Sequence, residues 1–251
     1  MSMLNGKIAV VTGGGRDIGR AISIKLAKVG AKVVVNYYNS EADAKETLDH
    51  IKSFGGEAIA VKADASNLDD IQYLKAKTVE AFGNKVDILV NNAGGLFARK
   101  TLQEFDESFY DLVMNVNFKS TVFVMQAFEP LMGKGTSVIN LSSQAARDGG
   151  GGGSALYASS KGALTTFTRS MAKALGPKGI RVNAICPGLI GTKFHDDFTK
   201  DEVREKVASI TPLRREGTAE ECADLVAYLA SDEASFIAGA NFDINGGLAF
   251  S

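Results

Sequence analysis

Cysteine is scarce in this chain, neither sign of charge dominates, and no long apolar run occurs. The two cysteines, Cys186 and Cys222, have neither metal-ligand spacing nor the density of a disulfide framework. They read as buried, reduced thiols, and no metal site is expected. With 28 basic against 29 acidic residues the formal net charge is −1, and no Lys/Arg stripe appears, which argues against a nucleic-acid partner. No stretch approaches the ~18 apolar residues of a membrane span. Residues Met1 to Gly6 lack a charged and then apolar leader pattern, so a cytoplasmic chain with no membrane partner is expected. Linkers, internal repeats and charge blocks are missing too, so the 251 residues are expected to form one domain, 1–251. The single low-complexity segment is the run of five glycines, Gly149–Gly153.

What is present is an ordinary globular balance, 45% apolar and 23% charged, arranged as an alternation. Ile8–Val11, Lys32–Asn36, Ala58–Val61, Ile88–Val90, Ser137–Leu141 and Arg181–Ile185 read as short, β-branched, buried strands. Amphipathic stretches of helical length separate them, among them Ile18–Val29, Ser40–Phe54 and Phe105–Leu131. Repeated βαβ units imply an α/β fold, a parallel sheet covered by helices on both faces.

Within that frame, Tyr157 and Lys161 lie four residues apart, fourteen residues beyond Ser143. On a helix, positions i and i+4 share a face, so the phenol and the ammonium can reach one cleft. A cation beside a phenol favours its ionised form, which makes Tyr157 a usable acid and base. A hydroxyl from Ser143 would polarise a carbonyl beside it. The spacing alone is weak, because Tyr73 and Lys77 repeat it. That second pair belongs to an amphipathic surface stretch, Leu68–Phe82, with no glycine-rich turn and no strand-end serine before it.

The first strand runs into Thr12-Gly13-Gly14-Gly15-Arg16-Asp17-Ile18-Gly19, and a helix follows. Such a turn is either merely tight or a dinucleotide site, in which glycines let backbone N–H groups and a helix N-terminus approach a pyrophosphate. It departs from G-x-G-x-x-G, since Ile18 stands where the last glycine would be.

Taken together with Asn91-Asn92-Ala93-Gly94 after the fourth strand, Asn117, Pro187-Gly188 with Ile190 and Thr192, and Asn245-Gly246-Gly247, these residues resemble the short-chain dehydrogenase/reductase family along essentially the whole chain. The pattern is most similar to its 3-oxoacyl-[acyl-carrier-protein] reductases. The resemblance implies a single-domain Rossmann fold, a doubly wound, mostly parallel sheet, and a catalytic tetrad of Asn117, Ser143, Tyr157 and Lys161. It implies cofactor contacts from Gly13, Gly15, Arg16, Asp17, Ile18, Gly19, Asn36, Asp64, Asn91, Ala93 and Gly94. Tyr157, Lys161, Pro187, Gly188, Ile190 and Thr192 complete that set. Lys161 is expected to bind the nicotinamide ribose and lower the Tyr157 pKa, and Asn117 to bend its helix and hold a water. A homotetramer and a substrate lid at about 188–215 are further family expectations.

Asp17 stands where the family's glycine motif has its middle glycine, and it is expected to cap the helix N-terminus. Asn36 at the end of the second strand offers no acid to a ribose 2′-hydroxyl, and Arg16 is placed to attract a 2′-phosphate, so NADP(H) is favoured over NAD(H). The expected reaction is hydride transfer between nicotinamide and a ketone or secondary alcohol, with a 3-oxoacyl thioester as a candidate. The alternatives are an NAD-dependent sugar or alcohol dehydrogenase and a nucleotide-sensing module without catalysis. Phe97, Arg99, Lys100, Arg147 and His195 are candidate borders of the substrate pocket. Glu129–Lys134, with one cation, lacks the basic cluster that would greet an acidic carrier protein.

Overall fold

The computed structural model describes residues 3–193 and 198–250. Its strands are β1 Ile8–Val11, β2 Lys32–Tyr37, β3 Ala58–Lys62, β4 Ile88–Asn91, β5 Ser137–Leu141, β6 Arg181–Pro187 and β7 Asn241–Ile244. They form one sheet in the order β3-β2-β1-β4-β5-β6-β7, with every neighbouring pair parallel. Around it stand α1 Asp17–Lys28, α2 Glu41–Ser53, α3 Leu68–Phe82, α4 Glu107–Met114, α5 Ser120–Phe128, α6 Ala145–Asp148, α7 Ala155–Leu175, α8 Asp201–Ile210 and α9 Ala219–Ala230.

The period of two along a strand sorts the core into two layers. Ala9, Val11, Val33, Val35 and Val90 pack with Ile22 and Leu26 of α1 and with Val226 and Leu229 of α9. Val10, Val34, Leu89, Val138 and Val182 pack on the other face with Leu74 of α3 and Val124 and Phe128 of α5. Burying each such side chain contributes roughly 1.5–3 kcal/mol, so both faces of the sheet need their helical cover.

From β1 the chain winds outward through β2 and β3, then returns to place β4 on the opposite side. This reversal opens a crevice beyond the carboxyl ends of β1 and β4. Thr12 and Asn92 stitch its two sides together. The Thr12 hydroxyl accepts from the N–H groups of Asn92 and Ala93 at 3.0 and 3.1 Å. The Asn92 amide donates to the carbonyls of Thr12 and Gly13 at 3.0 and 2.9 Å. The approach is close enough that a Cβ on Gly19 would lie 2.1 Å from the Gly13 carbonyl oxygen, so only glycine fits there.

Two expectations need correcting. The sequence pattern marks six strands, yet the sheet has a seventh, β7, whose residues are all half-buried. The predicted helix over 105–131 is interrupted: a π-turn at Asn115–Lys119 separates α4 from α5, and a 3₁₀ turn covers Glu129–Leu131.

Candidate active site

A cavity of about 530 Å³ occupies the crevice. Tyr37, Tyr38, Asn39 and Ser40 line one end, the turn between β1 and α1 forms a wall, and Ser143, Tyr157 and Lys161 line the other end.

Tyr157 and Lys161 share the inner face of α7, as their spacing predicts, and both reach the cavity. The helix is fastened to the end of β5 by the Ser142 hydroxyl, which donates to the Lys161 carbonyl at 2.9 Å, and by Asn140, whose amide donates to the Thr168 hydroxyl at 2.9 Å. Ser143 follows directly, hydrogen-bonded to the Tyr157 phenol, while its Oγ also accepts from the Ala145 N–H at 3.1 Å. Lys161 is 4% exposed as a residue, and its ammonium donates to the Leu141 carbonyl at 2.7 Å and lies 5.7 Å from the centre of the Tyr157 ring. By contrast, Tyr73 and Lys77 sit on α3 with the tyrosine half exposed, and neither lines the cavity.

Burial sets the electrostatics of the pair. Removal from water pushes the Lys161 ammonium down to about 8. The same effect raises the Tyr157 phenol above its ordinary value, only partly offset by the Ser143 hydrogen bond. In this structure burial is the largest influence on the Tyr157 phenol.

Asn117 is fully buried inside the π-turn and does not line the cavity. Its amide donates to the carbonyls of Gly95 and Val113 at 2.8 and 2.9 Å, and its oxygen accepts from the Gly95 N–H at 3.0 Å. Gly94 is held between Asn117 and Lys161, where an added Cβ would stand 2.8 and 3.0 Å from their polar atoms. Asn117 is therefore a positioning residue for the Gly94–Gly95 backbone.

Of the expected cofactor residues, Gly13, Gly15, Arg16, Asp17, Ile18, Gly19, Ala93, Gly94, Pro187, Gly188, Ile190 and Thr192 line the cavity. Asn36, Asp64 and Asn91 do not. The Asn36 side chain faces inward, accepting from the Gly13 N–H at 3.3 Å and donating to the carbonyls of Val61 and Ala63. Asp64 accepts from the N–H and hydroxyl of Ser66, and Asn91 donates to Asn140. All three brace the frame, while Tyr37 and Tyr38 face the cleft.

Asp17 is not a cap. The N-cap position of α1 is Arg16, which makes no side-chain cap bond. Asp17 has φ 51, and its carboxylate turns away from the helix to accept from the Lys193 N–H at 2.9 Å, with Arg16 Nε 3.7 Å from its second oxygen.

At the outer end, Leu96, Phe97, Arg99, Gly150, Gly151, Ser154 and Phe198 line the cavity. Arg99 donates to the carbonyls of Gly152 and Phe198 at 2.9 and 3.1 Å, and Lys100 N–H to that of Gly153 at 3.0 Å, so the pentaglycine is anchored. Two candidates are elsewhere. Lys100 pairs with Asp106 at 3.0 Å, and Arg147 pairs with Asp243 at 3.2 Å, tying α6 to β7. The fifth candidate, His195, lies outside the described residues.

The cleft suits an anionic dinucleotide. The N-cap residue Arg16 makes no side-chain cap bond to α1, and Asp17, Ile18 and Gly19 of its first turn line the cavity, where the N–H groups of a helix start suit an anion. Arg16 and Lys161 supply cations toward opposite ends, and the volume lies in the range of small-molecule sites, about 300–1,000 Å³. Among the described residues no cluster of His, Cys, Asp and Glu could hold a metal ion.

Known proteins share this arrangement from end to end. A family model described as Enoyl-(Acyl carrier protein) reductase matches residues 13–249. Versicolorin reductase 1 of Dothistroma septosporum is 38% identical over 255 residues, covering 97% of this chain and 96% of the relative. A short-chain dehydrogenase/reductase from Serratia marcescens has a TM-score of 0.93 at 36% identity, covering 99% of this chain and all of the other. A short chain dehydrogenase from Burkholderia cenocepacia, solved in complex with NADP, has a TM-score of 0.91 at 34% identity, covering 98% and 99%. Likeness of this extent, joined to a tyrosine, serine and lysine converging on one cleft, makes the chain a member of the short-chain dehydrogenase/reductase family.

Proposed function

We propose that the protein is an NADP(H)-dependent oxidoreductase that interconverts a ketone and a secondary alcohol, with Tyr157 as the general acid and base. The observation that carries this is the convergence of the Ser143 hydroxyl, the Tyr157 phenol and the Lys161 ammonium on the far end of a cleft suited to a dinucleotide. The NADP complex of the Burkholderia relative and the NADPH complex of a metagenomic blue fluorescent protein, 34% identical with a TM-score of 0.92, support the choice of cofactor. Arg16 is the residue of this chain suited to a 2′-phosphate.

The bound nicotinamide would supply the hydride chemistry. Ser143 donates a hydrogen bond to the substrate carbonyl oxygen and holds it against the phenol. Tyr157 gives its proton to that oxygen in reduction and takes it back in oxidation. Lys161 has donors beyond the one spent on Leu141, and these suit ribose hydroxyls. Leu96, Phe97 and Phe198 give the substrate end apolar walls, which favours a carbonyl flanked by carbon. Exposed Leu102, Tyr110 and Leu112, on and beside α4, are compatible with a homo-oligomer.

Initial rates with NADPH and with NADH on an acetoacetyl thioester test the reading. Turnover is expected with NADPH at the higher kcat/KM. Equal or faster turnover with NADH would overturn the cofactor choice. NADPH binding without turnover would exclude the thioester and leave other ketones as substrates.

A further inference from the structure

Asp17 and Lys193 are 176 positions apart in sequence, yet the Asp17 carboxylate accepts from the Lys193 backbone N–H at 2.9 Å. Asp17 follows β1 and Lys193 follows β6, and β4 and β5 stand between those strands in the sheet. Three strand intervals of about 4.8 Å separate the two bases by roughly 14 Å. The two loops therefore lean together above the ends of β4 and β5. Asp17 and Lys193 both line the cavity, as do Asn92–Leu96 and Leu141–Ser143 at the ends of β4 and β5. A ligand extended from Tyr38 and Arg16 to Tyr157 shares this cavity with the Asp17–Lys193 contact.

We propose that the Asp17–Lys193 hydrogen bond is a latch over the dinucleotide cleft, and that its opening sets the rate of cofactor release. The proposal rests on the dinucleotide reading above. Asp17 holds a left-handed backbone, φ 51, which residues with a Cβ adopt rarely. A strained residue at a ligand clamp persists where its surroundings fix it. Here a charge-assisted hydrogen bond on one oxygen and the nearby Arg16 guanidinium on the other do so.

The sign of one measurement separates latch from charge. A carboxylate beside a pyrophosphate repels it, so simple removal of that charge would slow cofactor release. Loss of a latch would speed it.

The test is stopped-flow release of NADPH, chased with excess NADP⁺, in the wild type, Asp17→Gly, Lys193→Pro and the double variant. Asp17→Gly removes the carboxylate and relieves the left-handed backbone, and Lys193→Pro deletes the donor while leaving the carboxylate. Each single variant is expected to release NADPH at least about tenfold faster, and the double variant no faster than either. Release within twofold of wild type, or slower, in Asp17→Gly overturns the latch. So does an unchanged rate in Lys193→Pro beside a fast Asp17→Gly. Hydrogen exchange at the Lys193 amide of the ligand-free chain is expected to accelerate at least about tenfold in Asp17→Gly, and no change there overturns the proposal as well. If the wild type binds NADH and not NADPH, the cofactor choice falls and the same rates are read with NADH. A wild type that binds neither overturns both.

Discussion

The Lys161 ammonium donates to the Leu141 carbonyl at 2.7 Å, so the cation of α7 is pinned to the last residue of β5, two residues before Ser143. This contact fixes the charge where the proposed chemistry needs it, at the cost of burying an ammonium in the protein.

That burial has a pH signature. With its pKa lowered to about 8, Lys161 is protonated in both folded and unfolded chains below that pH, and the folded state bears the full desolvation penalty. As pH rises from about 8 toward the ordinary lysine value, the unfolded chain holds more protons, so this contribution to unfolding free energy increases. Lys161→Met is expected to stabilise the protein at pH 7 by on the order of 1–2 kcal/mol, after subtracting the lost hydrogen bond to Leu141. Urea unfolding at pH 7 and pH 10 is expected to show the gap between variant and wild type narrowing, while turnover at pH 7 falls more than about a hundredfold.

Asn117 acts through Gly95 and Val113. Asn117→Ala leaves three backbone groups short of a partner, the buried Val113 carbonyl and the part-buried N–H and carbonyl of Gly95, which is expected to destabilise the protein by roughly 2–4 kcal/mol. Because Gly94 lies against both Asn117 and Lys161, NADPH affinity is expected to weaken along with the melting temperature. Titration and thermal melting of the same variant would show both changes, and an unchanged Kd would confine Asn117 to stability alone.

Arg16 is half exposed and, among the described residues, its one ion pair is the 3.7 Å pairing with Asp17, so a phosphate competes for it easily. Arg16→Ala is expected to lower kcat/KM for NADPH by about tenfold or more, near 1.4 kcal/mol, and to change that for NADH little. Added salt is expected to weaken NADPH binding in the wild type more than in the variant. Equal losses with both cofactors would remove Arg16 from the recognition of the 2′-phosphate.

The sheet was legible wherever β-branched residues form buried runs. Val33–Val35 and Ile88–Val90 announce strands because they are covered on both faces. The edge strand β7, Asn-Phe-Asp-Ile, has one neighbour and half-buried side chains, so its sequence carries no such run. The Tyr157, Lys161 and Ser143 arrangement was legible because helical spacing and strand-end position are local properties. The role of Asp17 was not, because its partner is a backbone group 176 residues away and its left-handed φ excludes the capping geometry that its identity suggests. Asn36 misled for a related reason. Its position at the end of β2 was plain, but its side chain is taken up by the Gly13 N–H and the carbonyls of Val61 and Ala63, partners distant in sequence. The direction of the Tyr157 shift depends on how much protein surrounds the hydroxyl, which spacing does not report.

The most direct test of the proposed chemistry is Tyr157→Phe, which removes one hydroxyl and keeps the ring. NADPH binding and ketone reduction would be measured on the same preparation, with the wild type beside it. Turnover is expected to fall by more than about a hundredfold, with the NADPH Kd within a few-fold of wild type. Near-normal turnover in the variant would contradict Tyr157 as the proton donor and, with it, the reading of this cleft as the site of carbonyl reduction.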